Sequence, residues 1–400
     1  MIELFRHNTV FLRFWIATVA SQLASRMHSL ILIWIVFKWT HSAFIVGIAM
    51  VAASLPAVLI SPFAGSLVDR HNKVAVMMIA DFSRLIIVLI FAFLYHIQVL
   101  NTQWLVIGTI GISLASAFFN PASLAVIPSL VKENQITQAN AIEQISGSAS
   151  AIIGPLFGSA IIATLGVTNA FIGAGVMFLI SVLFLLNIKD LQQSTKKIAT
   201  GMLEDIKTGI RLVKQHAIVH KMIFKMAVVN FFFSSLTIII PIVAKADVKI
   251  IAYLMSALGA GMLVCSLVLS GKNFSFKPKT LLSVSFVMMG ASFIAAGFTP
   301  HLIPMLFEIF TIGFFLNVFN ITLISLYQMR LPSESLGKIM SLIIAVSLSL
   351  QPISYGVMGV VLGYIGTFWT FFISGAIILL SAIGVYRLKE LNEKETIKIQ

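Results

Sequence analysis

Apolar runs long enough to cross a bilayer recur along this 400-residue chain, with short polar turns between them. A helix needs about 20 apolar residues to span the hydrocarbon core. Cutting at charge clusters and at Gly or Pro signals gives twelve such runs: 10–38, 42–64, 74–96, 103–127, 138–163, 168–188, 218–244, 250–270, 280–298, 302–328, 338–362 and 366–387. In lipid every backbone N–H and C=O must be paired inside the protein, and continuous runs of this length achieve that only as helices. The expected fold class is an all-α polytopic membrane protein of twelve transmembrane helices. Composition agrees. Only 10% of residues are charged and 59% are hydrophobic, whereas soluble domains carry about 25% charged residues.

The charges are distributed unevenly. Of 27 Lys and Arg residues, twenty-three fall on or near one side of the expected bilayer, three on the other (Lys38, Lys245, Lys249), and Arg26 lies mid-span. Loops on the cytoplasmic side carry the excess of Lys and Arg, so the basic side, with both termini, is expected in the cytoplasm of a cell-membrane protein. The formal charge of +13 then reflects topology rather than nucleic-acid binding. The first run is too long for a cleaved leader and reads as the first span. Cys265, the single cysteine, sits in an apolar run and reads as a small buried residue.

The longest polar stretch, 189–217, divides the chain into an N-terminal six-helix half (1–188), a cytoplasmic linker (189–217), a C-terminal six-helix half (218–387) and a cytoplasmic tail (388–400). Met202, Ile206, Ile210 and Val213 recur at helical spacing in the linker, which predicts an amphipathic surface helix there. The halves look duplicated. Gly65 is expected to end the second run and Gly271 the eighth, and Phe118-Phe119-Asn120 has a counterpart in Phe314-Phe315 with Asn317 and Asn320.

Between the second and third runs lies Gly65-Ser66-Leu67-Val68-Asp69-Arg70-His71-Asn72-Lys73. It resembles the first-loop signature of the major facilitator superfamily, with Asn72 where that pattern has its second glycine. Ser150 to Ser159 resembles the fifth-span signature of the superfamily's proton-coupled antiporters, with Gly154, Pro155 and Gly158 as the intact core. Asp81 with Arg84, Asn120-Pro121, Ala139-Asn140 and Gln328 to Lys338 extend the likeness to the macrolide-efflux and enterobactin-exporter branch. The resemblance covers nearly the whole chain. It implies the major facilitator fold, two six-helix pseudo-repeats that alternate access to the two sides, with the substrate site near the midplane. It also implies that Gly65, Asp69, Arg70 and Lys73 form a conformational latch, and that Gly154, Pro155 and Gly158 seal the outer side. Physically, Pro155 removes a backbone hydrogen bond and permits a kink or a close helix contact.

Ionisable groups at membrane depth are costly and mark function by default. Glu308 lies about six residues into the tenth span, Asp81 near one end of the third and Glu143 in the first turns of the fifth. Burial favours the neutral form of a carboxyl group, so these three are proton-coupling candidates, with Glu308 preferred. Glu308 also fits an interfacial residue reaching the headgroups, and Asp81 a structural i, i+3 pair with Arg84. Arg26, Gln22, Asn230, Asn317 and Asn320 are the substrate-cavity candidates; Arg26 would bind an anionic group or pair with an acid. Amides at lipid depth either bridge helices or line a cavity.

No phosphate-binding Gly-rich loop ending in Gly-Lys-Ser/Thr is present, nor a hydrolytic nucleophile elbow, nor metal-ligand spacing. No enzyme, cofactor or metal is therefore expected. The resemblance implies a monomeric secondary exporter that exchanges protons for a hydrophobic or amphipathic small molecule such as a macrolide. A secreted metabolite such as a siderophore is the alternative cargo, and an importer or lipid flippase the alternative activity.

Overall fold

The computed structural model describes residues 5, 8–68, 70–132, 135–188, 211, 217–270, 275–330, 333–388 and 397–398. Asp69 and nearly all of the 189–217 linker, including its expected amphipathic helix, lie outside the described residues. Six helices make up the first half: α1 Thr9–Thr40, α2 Ala43–Val68, α3 Lys73–His96, α4 Thr102–Leu130, α5 Ile136–Leu165 and α6 Val167–Leu186. The second half holds α7 Ala217–Val243, α8 Val248–Ser270, α9 Pro278–Phe298, α10 Leu302–Arg330 and the long element Ser333–Tyr386. That element breaks at Gly366, which has φ 75° and ψ 177°, giving α11 (333–365) and α12 (367–386). Twelve membrane-length helical segments result, as the apolar runs predict. The described residues add only a two-residue antiparallel pairing of Ser275–Phe276 with Ile397–Lys398.

Asparagine and aspartate side chains set several of the starts. Asn8 Oδ1 accepts from the Phe11 N–H at 2.9 Å, and Asn101 Oδ1 from Trp104 at 3.0 Å. Asp247 Oδ1 caps α8 through the Lys249 N–H at 2.8 Å. Such caps satisfy helix N–H groups that have no partner within the helix. Asn72, the residue that departs from the loop signature, does the same for α3, accepting from Val74 and Ala75 at 3.0 and 3.1 Å. One expected boundary shifts. Gly65 does not end α2; the helix runs on to Val68, whose side chain is buried. A single helical glycine costs only about 1 kcal/mol, and burial of Val68 offsets that.

The chain forms two compact units. Unit 1 contains α1–α6 and, beyond the boundary expected from the linker, also Ala244–Ala252, the turn from α7 into α8. Trp34 Nε1 on α1 donates to the Ala246 carbonyl at 2.7 Å, which ties that turn to this unit. Within unit 1, α1 packs on α5 and α6, α3 on α4 and α6, and α2 on α4. The start of α1 meets the ends of α4 and α6, through Asn8 Nδ2 on Leu130 O at 2.6 Å and Arg13 on Asn187 O at 2.8 Å. Lys73, beside the α2–α3 turn, donates to Ala125 O at 3.3 Å at this same end. The ends of α1, α3 and α5 gather at the other. In unit 2, α9 packs on α10 and on the Ser333–Tyr386 element, which also packs on α7.

Gly166, between α5 and α6, has φ 86° and ψ 174°, the same conformation as Gly366 and 200 positions before it. The duplication is therefore visible in the backbone. L side chains rarely adopt this conformation, yet nothing lies within 4 Å of a Cβ added at either glycine. Gly166→Ala should thus report backbone strain alone, about 1–3 kcal/mol. Thermal unfolding in detergent should show a matching loss for Gly366→Ala, and an unshifted midpoint in both would exclude the strain.

Candidate functional site

Helix α1 organises the polar interior of unit 1 by sending different faces to different neighbours. On one face Ser21 Oγ donates to Asp81 Oδ1 of α3 at 2.9 Å. Asp81 also receives the Ser181 hydroxyl of α6 on Oδ2 at 2.6 Å and pairs with Arg84 at 2.8 Å. Both charged side chains are buried, at 0% and 2% exposure. The Arg84 guanidinium lies 4.9 Å from the Phe119 ring and 5.7 Å from that of Phe178, within cation–π range. This is the i, i+3 pair expected from sequence, now with donors from two further helices.

The second face carries Trp15, Thr18, Gln22 and Arg26, spaced i+3, i+4 and i+4 along one stripe. It lies against α5. Trp15 Nε1 donates to Ser146 Oγ at 2.7 Å, Thr18 Oγ1 to Glu143 Oε1 at 2.6 Å, and Gln22 Nε2 to Glu143 Oε2 at 3.3 Å. Glu143 is partly buried and, among the described residues, has no basic partner. Its two oxygens are held by neutral donors only, whereas Asp81 is clamped by a cation. The Gln22 Oε1 atom is buried without a hydrogen bond among the described residues.

Farther along the stripe the expected antiporter-like kink meets α1 directly. A Cβ added to Gly154 would stand 2.5 Å from Arg26 Cβ and 3.4 Å from its Cγ, and one on Gly158 would stand 3.2 Å from Leu30 Cδ2. Gly154, Pro155 and Gly158 are all buried. The Gly-Pro-x-x-Gly core therefore brings α5 close to the stem of a mid-span arginine whose own side chain is exposed. The third face of α1 holds His28, stacked on Phe91 at 5.9 Å with Thr109 Oγ1 3.4 Å from its Nε2. As the helical spacing requires, it points away from Arg26.

The remaining sequence candidates separate from this constellation. Asn317 bridges helices within unit 2, donating to Met262 O and Ser266 Oγ of α8, both at 2.7 Å. Asn230 bonds its own helix at Met226 O, 3.1 Å away. Asn320 and Glu308 are partly buried and have no hydrogen bond or ion pair among the described residues. Arg70 is exposed, and Asp69, the other charged residue of the expected latch turn, lies outside the described residues. Sequence reading missed Thr18, Ser21, Ser146 and Ser181. Small hydroxyl residues are common in membrane helices, and only their three-dimensional convergence on Asp81 and Glu143 distinguishes these four.

Removing one member of a buried ion pair leaves an unpaired charge and costs about 3–5 kcal/mol, whereas replacing both by apolar groups is often neutral. Arg84→Met alone should therefore destabilise unit 1 strongly, and Asp81→Leu with Arg84→Met should recover most of the loss in a detergent melt. Transport by the double variant separates the roles: retained transport marks the pair as a scaffold, and lost transport in a stable protein marks it as part of the cycle.

The chain matches the family described as transmembrane secretion effectors over residues 5–399. It is 23% identical to macrolide efflux protein A of Streptococcus pyogenes, over 96% of each chain. A putative bacilysin exporter of Bacillus subtilis is 28% identical over 53% of this chain and 52% of its own length. Among solved structures, the fold is shared with a nucleoside transporter (TM-score 0.74, 13% identity, 94% of this chain and 100% of that one). It is shared also with a D-xylose–proton symporter (TM-score 0.72, 14% identity, 96% and 99%). Twelve membrane-length helices in two duplicated halves, the first-loop and fifth-helix motifs, and a family match spanning the chain agree: this protein belongs to the transmembrane secretion effectors of the major facilitator superfamily, in the macrolide-efflux branch.

Proposed function

We propose that this membrane transporter is a proton-coupled exporter of hydrophobic or amphipathic small molecules, and that Glu143 is the group that carries the proton. The observation that carries the reading is the shell of Glu143. Two neutral donors, Thr18 and Gln22, hold the carboxyl on the stripe that one turn later bears Arg26, and among the described residues no cation pairs with it. Proton binding and release there would exchange with a ligand contacted by Gln22 and Arg26. The macrolide efflux and bacilysin exporter relatives favour outward transport of an amphipathic compound. The basic end of unit 1, with the α2–α3 turn, faces the cytoplasm in this reading, and one chain suffices for transport.

The test uses inside-out vesicles energised by a proton gradient and supplied in turn with a macrolide, an antibiotic dipeptide and a carboxylate siderophore. One pH unit is worth about 1.4 kcal/mol and supports about tenfold accumulation per proton exchanged. The wild-type protein should accumulate one of these compounds. Glu143→Gln should lose the tenfold while still exchanging substrate at equilibrium, and Glu308→Gln should not. Loss of coupling in Glu308→Gln with Glu143→Gln intact would move the proton to α10. Uptake by intact cells with no accumulation in vesicles would make the protein an importer.

The α2–α3 turn is proposed as a conformational latch through Gly65, Asp69, Arg70 and Lys73. A carboxylate in such a turn gains about 0.3–1 kcal/mol at a helix N-terminus, enough to bias two states of similar energy. Asp69→Asn should abolish transport while surface expression, followed by an epitope tag, stays at the wild-type level. Unchanged transport would reduce the turn to a solvated hairpin.

A further inference from the structure

At the end of unit 1 where α1, α3 and α5 finish, an open groove of about 1030 Å³ lies between the helices. Leu89, Phe93 and Ile172 line it and are exposed on the flank of the bundle. Its polar members include Lys38, Tyr95, His96, Thr168 and Asn169, and none of the described lining residues is acidic. The groove thus joins an apolar wall open to the membrane with a basic, hydrogen-bonding rim. It lies apart from the α1–α5 stripe proposed for transport.

Its charge is unusual for this end of the chain. Lys38, Lys245 and Lys249 are the three basic residues expected on the sparsely charged side; Lys38 lines the groove, and the other two lie on the turn that carries its lining residue Val248. Lys38 lines the groove with Nζ 4.6 Å above the Trp34 ring, and it has no acidic partner among the described residues. Lys245 and Lys249 flank Val248, another lining residue, on the turn that Trp34 holds. Asp247, the acid between them, is engaged in capping α8. Helix α6 also starts in the groove wall, and its N-cap, Gly166, offers no side-chain acceptor to the first-turn N–H groups. Those groups and the helix dipole favour an anion.

The duplicated corner of unit 2 supplies an internal comparison. Phe368, Trp369 and Phe372 stand 200 positions after Thr168, Asn169 and Ile172, and Phe298 ends α9 as His96 ends α3. These four aromatic rings pack on one another, at 4.9 Å for Phe298–Phe368, 5.2 Å for Phe368–Trp369 and 5.9 Å for Trp369–Phe372. Where unit 2 stacks rings at its corner, unit 1 carries Thr168, Asn169, Ile172 and His96 beside the open groove.

We infer that the groove binds one acidic phospholipid of the leaflet on which it opens. The phosphate lies between Lys38 and the first turn of α6, Thr168 and Asn169 bond the headgroup, and an acyl chain runs along Leu89, Phe93 and Ile172. A ligand anionic at one end and apolar at the other matches both parts of the groove, and a lipid reaches it laterally without crossing water.

The test is native mass spectrometry of the purified full-length protein titrated with phosphatidylglycerol, with phosphatidylcholine as the zwitterionic control. A surface lysine near a membrane contributes about 1 kcal/mol to acidic-lipid binding, so Lys38→Gln should weaken retention of phosphatidylglycerol on the order of fivefold. Thr168→Phe with Asn169→Trp, which copies the aromatic corner of unit 2, should remove the bound lipid. Lys277→Gln, an exposed lysine in unit 2, should change nothing. Thermal melts confirm that each variant is folded. Equal retention of both lipids by the wild-type protein, or retention unaffected by the two groove variants, would overturn the assignment.

Discussion

Helices α1, α3 and α6 meet at the carboxylate of Asp81, and the rest of unit 1 is arranged around that junction. Its oxygens take a hydroxyl from Ser21, a hydroxyl from Ser181 and an N–H from Arg84. Three separate stretches of chain are thereby brought to one point with no water needed. A buried ion pair is costly to desolvate, and its value lies in geometry as much as in energy. With Ser21 turned toward Asp81, helical spacing leaves Thr18, Gln22 and Arg26 toward α5, and His28 toward Phe91 and Thr109. The Ser21–Asp81 bond helps to fix the orientation of α1, and that orientation places Trp15, Thr18, Gln22 and Arg26 on one stripe.

Two acids that look alike in the sequence are separated by this arrangement. Asp81 has its cation on the same helix, three residues away, while among the described residues Glu143 receives only Thr18 and Gln22. The first is suited to holding helices together. The second, in the proposed reading, is the group that changes its charge, since among the described residues no basic partner pairs with it. In the proton-coupled reading proposed above, such a division keeps the scaffold from loosening when the coupling group changes charge.

Much of the fold was legible in the chain. The apolar runs map onto twelve helical segments within a few residues, because the requirement to pair backbone groups in lipid leaves little choice. The caps at Asn8, Asn72 and Asn101 were not read from the sequence and emerge only from the structure. The joint between α11 and α12 falls where the runs 338–362 and 366–387 were separated, although only the backbone of Gly366 interrupts the helix there. The site was half legible. Asp81 and Arg84 declared themselves by spacing, and the Gly154-Pro155 core by its resemblance to the fifth-span signature. Glu308 stood out in sequence because it is isolated, whereas Glu143 gained weight only when residues more than 120 positions away closed on it. Long-range hydroxyl and amide contacts leave no periodic signal, so no reading of local pattern could have found them.

The contact between Gly154 and Arg26 has a mechanical consequence. Because α5 rests on the stem of the arginine rather than on its charged tip, the charge and the helix packing share one fulcrum. Any roll or slide of α1 against α5 must re-aim a full positive charge at mid-depth of the membrane. Conversely, a ligand that pulls on the guanidinium exerts torque on the helix pair. Substrate recognition and helix movement would then be two readings of a single displacement, with no separate relay between them.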